Sequence, residues 1–474
     1  MVWQTVYVAL LTSGIFILYK NWGYDDPFIT YRYARNIASN IGYVYNPGER
    51  ILSTTTPIYA LILTGAAVSG LEIPAAANFL SGLFIAIGGV ALWDLGRSWN
   101  SFGVRLTGLL LYPTFPLLLS TISSETPIYL ALILGAFAFY ARGRYNLTGL
   151  SAALATLLRP DGILVACVLG AHFLVSRRQK IPWSALLLFV VATGAWVVFA
   201  WSYFGYPLPV TLAAKQLQNS LEVSKDFAHG SIRVISWYSG NWHYRIEAAL
   251  ALLGLVWGIF KNHHWLLLLG WTALYFLAYS ILGVSSYFWY YAPLVPGFVV
   301  AIGLGVDGTI RVGTNFLGGS ERYHSKILTV VLTIIVCIIG IQQLITLVEI
   351  SKNTDPRMQI YRTVGEWINN HTSPDATIAT LEVGIIGFFA EREMIDFAGL
   401  IQPNIAAQLR NAENYESAAV WAVTHYQPDY LVLQDQIFPD LEADYIPKYC
   451  QPEMTFQKEQ FGYSNDLVVY RCNG

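Results

Sequence analysis

Tyr24-Asp25-Asp26-Pro27-Phe28-Ile29-Thr30-Tyr31-Arg32-Tyr33-Ala34-Arg35 begins a few residues after an apolar N-terminal segment. Acids are scarce here: 13 Asp and Glu fall within residues 1–350, and two of them stand side by side in this stretch. Adjacent carboxylates repel each other and resist desolvation, so a membrane protein that keeps them at its surface has work for them. Asp26 fits an N-cap, with Pro27 at the first helical position. That reading leaves Asp25 unexplained.

Composition sets the class. Mean hydropathy is +0.46, charged residues make up 12% and aromatics 15%. Many apolar runs are about 16–22 residues long, enough to cross a hydrocarbon core of roughly 30 Å as helices. The opening segment 2–19 lacks a basic leader and a small-residue cleavage site, so it is expected to be a retained membrane helix. Residues 1–350 carry 20 Lys and Arg against 13 acids, or +7; residues 351–474 carry 8 against 17, or −9. The division this implies is a membrane domain at 1–349 and an acidic, water-soluble domain at 350–474.

Apolar spans fall at about 3–19, 74–94, 106–122, 126–141, 146–158, 160–176, 183–203, 244–260, 264–283, 290–308 and 327–347. Arg97 and Arg105, Arg142 and Arg144, the Arg177-Arg178-Gln179-Lys180 run, Lys261, and the loop with Arg311, Arg322 and Lys326 are expected to be cytoplasmic. They alternate correctly if the weakly apolar stretch 57–70 lies at the outer interface, with Thr56-Pro57 as its start. The expected fold is a polytopic α-helical membrane protein of about 11 transmembrane helices plus interfacial helices. A C-terminal extracytoplasmic α/β domain follows, and the location is the plasma membrane.

The polar loops then gather on one side. They are 20–73 with the acid pair, 204–243 with Leu208-Pro209 and Lys215, and 284–291 with its aromatic run. Two short ones join them, Ser123-Ser124-Glu125-Thr126-Pro127 and Arg159-Pro160-Asp161-Gly162. Span 146–158 is about 20 Å of helix, which puts Arg159 below the outer headgroups. Charges on irregular backbone at that depth are tolerated where they line a protein cavity. One outward-facing cavity is therefore expected.

In the tail, 357–369 and 417–425 read as helices. Strands are expected at 377–381, 385–389, 394–397, 430–434 and 467–470. Asn370-His371-Thr372 matches a glycosylation sequon but reads better as a helix end. Cys167 and Cys337 sit in apolar spans. Cys450 and Cys472, both near the end of an extracytoplasmic domain, are expected to be disulfide-bonded. There is no phosphate-binding glycine motif, Walker sequence, zinc motif or nucleophile elbow. His243, His263 and His264 lack ligand spacing, so no metal and no cofactor are expected, nor a nucleic-acid partner.

Acids beside buried Arg and Lys, next to the membrane, suit a reaction whose donor is a lipid phosphate. A sugar on polyprenyl phosphate already carries its leaving group, which needs cationic stabilisation as charge develops. The acceptor hydroxyl needs a base, and a carboxylate serves. One acid and one displacement imply inversion, because retention needs a second carboxylate on the opposite ring face.

These residues resemble the GT-C superfamily of integral membrane glycosyltransferases. The likeness is to bacterial arabinofuranosyltransferase-like members and to the protein mannosyltransferase and aminoarabinose transferase group. It rests on Asp25-Asp26-Pro27-Phe28-Ile29 with Tyr31-Arg32-Tyr33-Ala34-Arg35, Tyr45-Asn46-Pro47-Gly48-Glu49-Arg50 and Glu125-Thr126-Pro127. Further on it includes Arg159-Pro160-Asp161-Gly162, Tyr203-Phe204-Gly205 with Lys215, and Tyr290-Tyr291-Ala292-Pro293. The resemblance implies Asp25 as the catalytic acid at the cavity floor, Asp26 as its partner and Glu125 as a further acid, with Arg159 and Lys215 on the donor phosphate. Partners implied are a polyprenyl-phosphate sugar, membrane lipids and an extracytoplasmic glycan, lipid or protein acceptor. Thr56 departs from the Asn or basic residue that members often carry before that proline.

Alternatives stand beside these roles. Arg159 and Asp161 suit an intramolecular ion pair as well as substrate binding, and Lys215 suits solvation. Arg32 and Arg35 share a helix face and suit headgroup snorkelling or phosphate binding. Tyr290 and Tyr291 suit an interfacial aromatic belt, with sugar stacking as the other reading. From a different class, a lipid or glycolipid transporter would want symmetric repeats and charges at mid-bilayer. The only echo is Thr56-Pro57-Ile58-Tyr59 with Thr126-Pro127-Ile128-Tyr129, which two helix starts explain. A binding subunit without a catalytic carboxylate would also bear this pattern.

Overall fold

The structure is a computed structural model that describes residues 2–176, 180–219, 221, 225–317, 321–410 and 412–472. Among them, seven helices are long and apolar enough to cross a membrane. Their α-helical parts are Val2–Tyr19, Ile73–Ser98, Trp183–Phe204, Trp242–Lys261, Leu266–Leu282, Val295–Leu317 and Glu321–Lys352. The shorter apolar helices Thr126–Ala141, Tyr145–Leu158 and Ile163–Ser176 pack among them. The protein is a multi-pass membrane protein. The expected loop residues Arg177 and Arg178 lie outside the described residues.

Helices approach closely where side chains are small. A Cβ at Gly254 would collide with the Ala301 carbonyl, and one at Gly305 with that of Leu250, so Trp242–Lys261 and Val295–Leu317 touch backbone to backbone. Helix Pro57–Val68 has 12 residues, about 18 Å, too short to cross a bilayer. It packs on helix Asp25–Ala38.

The span expected at 106–122 is not one helix. Phe102–Leu110 stops before Pro113, and a short turn, Pro116–Leu119, follows. Two prolines three residues apart remove backbone donors and break the ladder. The chain then turns through Ser123, whose positive φ of 85° directs its carbonyl at the hydroxyls of Tyr31 and Tyr59.

The C-terminal sheet has five strands: β1 (Thr377–Thr380), β2 (Glu393–Asp396), β3 (Tyr430–Gln434), β4 (Cys450–Phe456) and β5 (Leu467–Cys472). Their order is β2-β1-β3-β5-β4, with β2, β1 and β3 parallel and β5 and β4 antiparallel to their neighbours. One face packs Ala379, Ile395 and Leu431 against Ala418, Ala422 and Val423 of helix Glu416–Tyr426. The other face, with Ile378, Met394 and Val432, meets Ile360 and Val364 of helix Pro356–His371 and runs on into the core of the membrane helices. The sequon stands at the end of that last helix.

Two tail assignments need correction. Ile385–Phe389, expected as a strand, lies in helix Ile385–Ala390. A short apolar run does not separate the two states, and parallel pairing of β1 with β2 demands a crossover, which this helix supplies. Strand β4 was not expected because Gln451, Pro452, Glu453 and Met454 are exposed and break alternation. It is an edge strand with a register irregularity at Pro452. Cys450 and Cys472 lie opposite each other on β4 and β5 and are disulfide-bonded.

Candidate active site

The turn Ser120–Glu125 presents Glu125 at the start of helix Thr126–Ala141. Helix Tyr145–Leu158 ends at Arg159, whose backbone is extended (φ −151°, ψ 132°) because Pro160 follows. Its guanidinium therefore points inward, where it is 5% exposed. Arg159 Nη2 donates to Asp161 Oδ2 at 3.0 Å and to the Tyr279 hydroxyl at 2.7 Å, and Nη1 donates to Glu125 Oε1 at 3.2 Å. Tyr279 donates in turn to Asp161 Oδ2 at 2.5 Å. A buried guanidinium with two carboxylates is held in a fixed fork.

Helix Thr211–Asn219 carries the second cation. Lys215 Nζ lies 2.6 Å from Asp26 Oδ2 and 4.9, 5.3 and 5.6 Å from the ring centres of Tyr287, Trp289 and Tyr290. Burial pulls its pKa down, but the Asp26 charge and the tyrosines outweigh burial and hold it above the usual lysine range. Three aromatic faces and a carboxylate thus fix one ammonium.

Asp25 and Asp26 open helix Asp25–Ala38, and the cap position is Tyr24, with no side-chain cap bond. The expectation that Asp26 caps the helix is therefore corrected: Asp26 sits in the first turn, and its carboxylate reaches Lys215. Asp25 does not lie at the cavity floor either. Its carboxylate accepts from the backbone N–H groups of Gly384 at 3.0 Å and Ile385 at 2.7 Å, in the tail. Burial pushes the Asp25 carboxyl up to about 6, the Ile385 bond opposes this, and the neighbouring Asp26 charge adds to it. Consecutive residues on a helix point about 100° apart, which is why one acid serves the tail and the other the cavity.

Asp26, Glu125, Arg159, Asp161, Lys215 and Tyr290 all line one cavity of about 380 Å³. Its mouth is apolar: Ile163, Leu208, Leu212 and Leu282 line it and are exposed. Opposite lie Thr30, Thr54 and Thr56, whose hydroxyls bond one another at 2.9–3.1 Å. Among the described residues, no group of three or more His, Cys, Asp or Glu is placed to hold a metal ion.

Besides Asp25, three candidates fall elsewhere. Arg32, 3% exposed, donates to the carbonyls of Tyr45 and Gly387 at 3.0 Å and of Arg392 at 2.5 Å. Arg35 pairs with Glu391 at 2.7 Å and lies over the Phe388 ring. Both arginines face the tail, so neither snorkels to headgroups nor meets the cavity. Tyr291 is buried, stacked on Phe227 and bonded to its carbonyl at 2.6 Å.

Sequence reasoning missed Tyr24, Tyr279, Trp289 and the threonine trio. Tyr275 and Tyr279, spaced i, i+4 on one helix face, carried a usable signal, as did the run Ser53-Thr54-Thr55-Thr56.

Residues 349–470 match a family described as a domain of unknown function, DUF8728. No curated protein matches the sequence. Among solved structures, the chain is similar to ArnT from Cupriavidus metallidurans bound to undecaprenyl phosphate. That match has a TM-score of 0.64 and 14% identity over 99% of this chain and 98% of that one. The apo state of the same protein matches at a TM-score of 0.62 and 15% identity, over 99% and 97%. The oligosaccharyltransferase AglB from Archaeoglobus fulgidus, in complex with an inhibitory peptide and a dolichol-phosphate, matches at 0.58 and 12% identity, over 93% and 70%. The chain shares its fold with these two membrane proteins.

Proposed function

We propose that the protein transfers a sugar from a polyprenyl-phosphate donor to a hydroxyl acceptor on the extracytoplasmic side, with inversion. The observation that carries this reading is the pairing of two buried cations with carboxylates in a cavity whose mouth is apolar. An isoprenoid tail fits the mouth formed by Leu208, Leu212 and Leu282, and its phosphate fits between Lys215 and Arg159. Undecaprenyl phosphate and dolichol-phosphate bound to the fold's other members support that choice of donor.

Of the acid pair, Asp26 is the one at the cavity and is proposed as the base, in place of Asp25. When the donor phosphate takes Lys215, Asp26 loses its ion pair and becomes free to accept the acceptor's proton. The acceptor oxygen then bonds the anomeric carbon as the bond from that carbon to phosphate oxygen breaks. The electron pair leaves with the phosphate, where Lys215 and Arg159 stabilise it. Glu125 and Asp161 hold the guanidinium in place. No step calls for a metal.

The test begins with lipid identification. Mass spectrometry of the purified protein should find a co-purifying polyprenyl phosphate, and this lipid's glycosylated form should support turnover. Asp26→Asn should lower turnover by about 10²–10⁴-fold with donor binding kept. Undiminished turnover in that variant ends the assignment.

A further inference from the structure

A second polar cavity lies at the other end of the membrane helices. Helix Val295–Leu317 starts beside Tyr290, and its 23 residues run about 34 Å before ending at this second site. The cavity has a volume of about 570 Å³, and three cations line it: Arg105, Lys261 and Arg311. None of the three forms an ion pair with a described residue. The one acid present, Asp307, accepts from Ser101 Oγ at 2.5 Å and from the Gly103 N–H at 2.7 Å and lies within the field of Arg105, whose Nε donates to the Ser101 carbonyl at 3.1 Å. Amide and hydroxyl groups, among them those of Asn262, Asn315 and Thr329, add to the polar lining.

Lys261 in the last turn of its helix is explained by the helix dipole alone. Convergence of that lysine with two arginines from other helices is not. The wall is mixed, because Trp257 and Ile310 share it. Outside the rim, Val256, Phe260, Val312 and Val330 are exposed on the same helices. A soluble anion has no need of that apolar surround, whereas a lipid uses both parts at once.

We propose that this cavity binds the phosphodiester headgroup of an anionic phospholipid in the leaflet at that end of the protein, with its acyl chains along Trp257 and the exposed valines. Basic pockets between membrane helices suit such headgroups. The proposal is independent of the transfer reaction and stands or falls without it.

The test is native mass spectrometry of the full chain released from nanodiscs of phosphatidylcholine with a minority of phosphatidylglycerol. The wild type should retain phosphatidylglycerol in preference to phosphatidylcholine. The triple variant Arg105→Gln, Lys261→Gln, Arg311→Gln should lose that preference by on the order of 10²-fold, and Arg97→Gln with Arg144→Gln should leave it unchanged. Should the triple variant fail to fold, Lys261→Gln alone should lower the preference about 5-fold and Lys261→Arg should restore it. Equal retention in wild type and variants overturns the proposal. So does displacement of the lipid by excess inorganic phosphate, which would make a soluble phosphate the ligand.

Discussion

Lys215 Nζ lies 2.6 Å from Asp26 Oδ2, joining positions 189 residues apart, while Asp25 turns away to the Gly384 and Ile385 amides. The two adjacent acids therefore answer to different parts of the molecule, and substitutions at them should separate in measurement. Asp26→Asn should lower turnover by about 10²–10⁴-fold and leave the melting temperature within a few degrees. Asp25→Asn should lower the melting temperature more and turnover less. Paired thermal-melt and transfer assays check this, and equal behaviour of the two variants refutes the separation.

Lys215→Gln should raise the donor KM and lower turnover, because the phosphate loses a charge-assisted partner of about 1.5–3 kcal/mol. The double variant with Asp26→Asn should not be the product of the two single effects, since the groups are in contact. Multiplicative losses would show that they act separately.

At the other cation, Arg159→Lys should weaken transfer by about 10-fold or more, because a single ammonium nitrogen lacks the planar fork that places Nη1 on Glu125 and Nη2 on Asp161 and Tyr279. Tyr279→Phe removes one bond of that set and should weaken transfer less. Steady-state kinetics on both variants decide the order.

Stability should fall as pH rises from about 4 to about 8. Burial raises the Asp25 carboxyl from 3.8 to about 6, Asp396 from 3.8 to about 7, and Glu382 from 4.5 to about 8. In each case the folded chain holds its proton more tightly than the unfolded chain. Stabilisation is thus full below the unfolded value and is lost as pH climbs to the folded one. Melting curves of Glu382→Gln should lose the part of the slope between about 4.5 and 8. A slope unaltered by that change would place its origin elsewhere.

Gly384 sits so near the Asp25 backbone that an added Cβ would collide with the Asp25 carbonyl. Gly384→Val should therefore prise the tail from helix Asp25–Ala38. Faster proteolysis between 352 and 356, with reduced transfer, is the expected result. Unchanged cleavage would show that the contact yields without undocking.

Much of this was legible in the sequence. Long apolar runs marked most membrane helices, and the gathering of Glu125, Arg159, Asp161 and Lys215 at one cavity followed from the depth of Arg159 and the polar loops around it; the Lys215 ion pair with Asp26 did not. Helix breaking by Pro113 and Pro116 was also written there, but hydropathy averaged it away. What composition could not carry was direction. Asp25 and Asp26 are the same residue type one position apart, and only the helix phase, set by where the tail docks, decides which reaches the cavity. Arg32 and Arg35 misled for the same reason: their partners Arg392, Glu391 and Gly387 lie about 355–360 residues away.

That docking also sets an order of events during synthesis. Asp25 and Arg32 leave the ribosome early, yet the amides that hold Asp25 and two of the carbonyls that hold Arg32 belong to residues 384–392 and emerge more than 350 residues later. Until then the second helix holds Asp25 without its amide partners and Arg32 with only part of its set, in contact with water or bilayer headgroups. A chain released before residue 384 would insert most of its membrane helices and still lack the clasp that orients Asp26. Translation arrest followed by cross-linking between positions 25 and 384 would time the closing of that clasp, which comes after the last membrane helix is made.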